Sequence, residues 1–149
     1  CPVCKMVQII EQPEPERMFH ENYAYFASTS RSMTDHFKRF AKEISGNILA
    51  GRQDPFVVEL GSNDGIMLQN FAASGIRHLG IEPSENVANV AREKGVATLS
   101  EFFNKDLAER IVKDHGHADA IIAANVSLVF VDFTFCIFTP IAELGPIVN

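Results

Sequence analysis

Val58-Glu-Leu-Gly61-Ser-Asn63-Asp64-Gly65, an apolar run broken by a glycine turn, decides how this chain folds. Residues 56–60 are short and apolar, which suits a buried strand, and residues 64–74 with Gly75 behind them read as a helix. The same alternation continues downstream. Residues 78–81 form a second apolar run, closed by Glu82-Pro83. Ser84 is placed to cap the next helix, Val87, Val90 and Ala91 supply its apolar face, and Gly95 stops it. A third strand is expected at 96–99, a helix at 104–115 with Leu107, Ile111 and Val112 on one side, and a fourth strand at 118–124. Strands joined by helical crossovers imply an α/β fold with a parallel sheet. The first strand is then central, and the loops at the carboxyl ends gather at one edge, where open α/β sheets bind ligands.

Upstream of Pro55 the organisation changes. Residues 1–17 join Cys1-Pro-Val-Cys4 to a short apolar run and two prolines, and are expected to be part of a small metal-binding module. Residues 18–54 hold an aromatic, hydroxyl-rich loop around Tyr23 and Tyr25. A helix follows, whose apolar positions Met33, Phe37, Phe40, Ala41, Ile44 and Ile48 fall at three- and four-residue steps. Residues 55–149 carry the sheet. A formal charge of −6 argues against nucleic-acid phosphates or an acidic membrane as partners. Three cysteines, two of them in one Cys-x-x-Cys, suit a reducing compartment, so the expected location is cytoplasmic, and no leader is read at the amino end. The most apolar stretch, 120–138, is interrupted by Asn125, Ser127, Asp132 and Thr134, and suits a buried strand better than a membrane span. An open edge beside the fourth strand would leave a surface through which homo-oligomers can form.

The chemistry lies in the turn. Gly61 and Gly65 permit close backbone approach to a ligand, and Glu82, seventeen residues past Gly65, is placed to accept both hydroxyls of a ribose. Pro83 holds that acid at the sheet edge. A dinucleotide would lay its pyrophosphate on the helix N-terminus, where Asp64 repels it. S-adenosylmethionine has no phosphate and carries a sulfonium and an ammonium, so Glu59 and Asp64 beside the turn favour it. The order Gly-x-Gly-x-x-Gly is also missing, because Gly61 is followed by Ser62 and Asn63. Asn63 belongs to the same loop, Phe102 is a candidate for facing the adenine, and Asn125 is a candidate at the end of the fourth strand. Two rivals stay open: an NAD-binding oxidoreductase fragment, and a zinc-knuckle interaction protein whose sheet is only structural.

Several stretches resemble the S-adenosylmethionine-dependent C-methyltransferases that act on nucleotide-linked 4-keto deoxysugars. They are 1–8, 18–25 with its Glu-Asn-Tyr-Ala-Tyr, 56–68 with Gly-Ser-Asn-Asp-Gly, 78–83, 91–95 and 123–126. The resemblance implies a Rossmann-like class I methyltransferase fold preceded by half of a small zinc-binding module. Cys1 and Cys4 would be the second of two zinc-ligating cysteine pairs, a half-site that needs further ligands. It further implies a small-molecule nucleotide-sugar substrate, with Tyr23 and Tyr25 lining the sugar pocket and acting in catalysis. The chain then corresponds to the front part of such an enzyme, and as a fragment is expected to be inactive alone. It departs from the family after Val126, and Phe26 stands where some members have a histidine.

Overall fold

The computed structural model describes residues 14–124 together with the backbone of a short strand at 147–148. Five parallel strands form one sheet in the order β3-β2-β1-β4-β5, with β1 Phe56–Leu60, β2 Arg77–Ile81, β3 Thr98–Leu99, β4 Ala120–Ile122 and β5 Ile147–Val148. The helices are α1 Pro15–Met18, α2 Arg31–Asn47, α3 Leu68–Ala73, α4 Glu85–Glu93 and α5 Lys105–His115. The α/β parallel architecture expected from the alternation is the one observed, with β1 central.

All five residues of β1 are buried, as a central parallel strand covered on both faces requires. Successive side chains point to opposite faces. Val57 therefore joins Phe37, Ala41 and Ile44 of α2 and Leu68 and Phe71 of α3, while Phe56, Val58 and Leu60 join Leu107 and Ile111 of α5. Each fully buried aliphatic side chain of this kind contributes about 1.5–3 kcal/mol. Alternation also puts Glu59 on the α2 and α3 face, an acid in an apolar layer.

The sheet differs from the sequence reading in three places. The helix expected from residue 64 begins only at Leu68, because Asn63 at φ 48° and Gly65 at φ 74° are left-handed and cannot start a right-handed helix. The Ser84 hydroxyl does not cap α4; it is the backbone N–H of Ser84 that is engaged, on the Glu82 carboxylate. The edge of β4 is not open, since β5 pairs with it, and β3 and β5, the outermost strands, have two residues each. Asn104, by contrast, caps α5 through its side chain, accepting the Leu107 N–H at 2.9 Å. Among the described residues no helix is long and apolar enough to cross a membrane.

β2 approaches the glycine turn closely at Gly80. A Cβ there would lie 2.4 Å from Ser62 Oγ, 2.9 Å from Ser62 Cβ and 3.1 Å from Leu68 Cδ1. Gly80→Ala is expected to lower stability by about 1–3 kcal/mol through overpacking, read as a lower urea midpoint with an unchanged slope.

Candidate functional site

The turn after β1 is held in place by the end of β2. The Gly61 and Ser62 N–H groups donate to the Ile81 carbonyl at 2.8 and 3.2 Å, and Gly65 N–H closes the turn on the Ser62 carbonyl at 3.0 Å. Gly65 packs so closely on α4 that a Cβ would stand 2.9 Å from Val96 Cγ2 and 3.2 Å from Ala91 Cβ. Its role here is close packing in a left-handed conformation, and it does not line the cleft.

Glu82 joins the two carboxyl-end loops. One carboxylate oxygen accepts the Asn63 N–H at 3.0 Å and the other accepts the Ser84 N–H at 2.9 Å. A carboxylate offers about four lone-pair sites, so each oxygen keeps room for a further donor, and both belong to a residue lining the cleft. Burial pushes the Glu82 carboxyl up from its ordinary range, against the two backbone hydrogen bonds that pull it down. Glu59, also on the cleft, is fully buried. Burial first, then the charges of Glu82 and Asp64, hold its carboxyl well above the usual range, and its Oε2 has no hydrogen-bond partner. An acid with no compensating cation stays protonated in such a place.

The opposite wall comes from the segment ahead of α2. Tyr23, Tyr25 and Ala27 line the cleft together with Phe19, Phe102 and Pro83. Phe19 contacts Tyr23 with ring centroids 5.5 Å apart and Phe102 edge-on at 6.4 Å. Burial, then Glu82 and Tyr25, raise the Tyr23 phenol above its ordinary value, which keeps it a proton donor.

Asn63 and Asp64 turn their side chains to this segment. The Asn63 amide accepts the Ala27 N–H at 2.7 Å and donates to the Tyr25 carbonyl at 3.2 Å, as a peptide group would. Asp64, whose side chain is 1% exposed, accepts from the Ser28 N–H and hydroxyl and pairs with Lys94 Nζ at 3.0 Å. The expectation that Asp64 draws a cationic ligand meets a carboxylate already neutralised. Ser28, Lys94 and Asn86, which donates to the Tyr23 carbonyl at 2.8 Å, were not singled out from sequence. A serine of the Ala27–Thr29 turn and an asparagine and a lysine at opposite ends of α4 form no pattern until the fold joins them.

The structure thus brings Tyr23, Tyr25, Glu59, Gly61, Asn63, Glu82, Pro83 and Phe102 to one cleft. Cys1, Cys4 and Asn125 lie outside the described residues. Among the described residues no three His, Cys, Asp or Glu side chains are grouped to hold a metal ion, and His20 Nδ1 accepts the Asn22 N–H at 3.1 Å.

No family model matches the sequence. The C-methyltransferase NovU of Streptomyces niveus is 31% identical over 118 residues, which cover 79% of this chain and 28% of that protein. The crystal structure of the plantazolicin methyltransferase BpumL, in complex with a pentazolic desmethylPZN analog and SAH, shares the fold with a TM-score of 0.55 at 14% identity. The match covers 77% of this chain and 45% of that one. The chain therefore spans little more than a quarter of the curated relative. Over most of its own length the chain is thus related in sequence to a C-methyltransferase, and its described residues share the fold of a methyltransferase.

Proposed function

We propose that the cleft binds S-adenosylmethionine and that the protein methylates carbon in a nucleotide-linked 4-keto deoxysugar. The donor assignment rests on one observation: Glu82, at the carboxyl edge of the sheet, has both oxygens fixed by backbone amides and both still able to accept a diol. When bound, S-adenosylmethionine supplies an electrophilic methyl group on a cationic sulfur. Glu82 would accept the ribose hydroxyls, and Phe102 and Pro83 would flank the base. Burial presses the Glu59 carboxyl towards its neutral form and a cation brought alongside favours its ionised form, so Glu59 would release a proton as the donor arrives. Carboxyls at the turn, with Lys94 committed to Asp64, favour a cation over a pyrophosphate in this position.

The acceptor assignment is supported by the relationship to a C-methyltransferase and by the two tyrosines that line the cleft. A base would take the proton beside the 4-keto group, and the carbon of the resulting enolate would take the methyl group in line as the S–CH3 bond breaks and S-adenosylhomocysteine leaves. Tyr23 and Tyr25 would donate hydrogen bonds to the enolate oxygen, and a phenol held protonated suits that task. Holding both reactants at near-attack distance can supply about 7–11 kcal/mol.

Calorimetric titration tests the donor site. S-adenosylhomocysteine is expected to bind and NAD not to bind. Glu82→Gln should weaken the nucleoside by about ten-fold or more, the value of one charge-assisted hydrogen bond. NAD binding at this cleft, or unchanged affinity in the variant, would overturn the reading.

Glu59 gives a second expectation, in stability. Its folded pKa is raised, so its contribution to stability is full below the ordinary glutamate range and is lost as pH rises towards the folded value. Glu82 acts in the same direction. Glu59→Gln is neutral at every pH, and should be more stable than the parent at neutral pH and lose part of that downward slope. Urea unfolding across the acidic to neutral range would read this; parallel curves for parent and variant would refute it.

A further inference from the structure

The wall of the cleft formed by residues 19–30 has little regular structure beyond the 3-10 turn Ala27–Thr29, yet it carries both tyrosines. We propose that Lys94, outside the cleft at the end of α4, is a positioning residue that latches this strap onto the turn after β1. One ion pair then assembles the tyrosine wall and the donor loop together.

The ammonium has three N–H groups and meets three acceptors: Ser28 Oγ at 2.9 Å, the Asp64 carbonyl at 2.9 Å and Asp64 Oδ2 at 3.0 Å. Ser28 Oγ in turn donates to Asp64, so lysine, serine and aspartate close a ring in which every donor is used. The Asp64 side chain is 1% exposed and that of Lys94 28%. A carboxylate so deeply placed is costly unless paired, so removing the lysine strains the whole junction rather than a surface contact. The place also suits a cation, because Lys94 is the C-cap of α4, where the helix dipole is negative. Ser28 lies three residues beyond Tyr25, and between them Asn63 grips Tyr25 and Ala27 through their backbone. Lys94 touches neither the cleft nor the tyrosine rings, and acts through Ser28 and Asp64.

The latch rests on the proposed function only in assigning a methyl donor to the cleft. The chain has two tyrosines, both on the strap, and no tryptophan, so its tyrosine absorbance and fluorescence report the strap alone. In Lys94→Met the tyrosine titration followed by near-ultraviolet absorbance should move down towards the ordinary phenol value, because Tyr23 leaves its buried place beside Glu82. S-adenosylhomocysteine affinity should fall about ten-fold, the scale of one charge-assisted contact. Lys94→Arg keeps the charge and should restore most of both. Ser28→Ala should change both in the same direction but less, and supplies the measurement if Lys94→Met does not fold. An unchanged tyrosine titration in folded Lys94→Met or in Ser28→Ala overturns the latch, whatever happens to affinity. A parent chain that fails to bind S-adenosylhomocysteine overturns the donor assignment instead, and the latch is then judged on the tyrosines.

Discussion

The hydrogen bonds from two backbone amides to the Glu82 carboxylate are the constraint on which the site depends. Asn63 lies on the loop after β1 and Ser84 on the loop after β2, and each gives its N–H to one oxygen of the same side chain. Fixing both oxygens removes the rotamer freedom of a glutamate and aims its remaining lone pairs into the cleft. The arrangement needs adjacent parallel strands. Gly80 of β2, opposite Glu59 of β1, has no side chain to hold the turn away.

Acid side chains at the turn have different tasks according to what faces them. Burial and the neighbouring carboxylates press Glu59 towards its neutral form, Glu82 is tied by amides, and Asp64 is paired with Lys94. Three carboxyls so close together would repel if all were charged. One neutral acid and one paired acid leave Glu82 to carry the charge that faces the cleft.

The aromatic strap makes the site two-sided. Asn63 imitates a peptide group towards Tyr25 and Ala27, so a segment without strand or long helix is attached as firmly as an edge strand would be. Asn86 adds a third anchor at Tyr23. The loop that meets Glu82 through the Asn63 N–H also holds the strap through the Asn63 side chain, which ties the two sides of the cleft to the geometry of residues 61–65.

Much of this was legible in the sequence. The short apolar run of β1, the helical spacing of α2 and the glycines closing α3 to α5 depend on local patterns, so the order of elements and the parallel sheet follow from them. A glycine turn between strand and helix, followed by an acid at the end of the next strand, likewise puts Gly61 and Glu82 at the same edge of the sheet. What only the tertiary structure decided were contacts between residues far apart in the chain. Ser28 and Lys94 meet across 66 positions, Asn63 turns to a segment 36 positions before it, and β5 covers the edge that local reading left open. Side-chain partners of this kind depend on how the helices pack against the sheet, and a charge such as that of Asp64 cannot be assigned to a ligand or to a lysine until that packing is known.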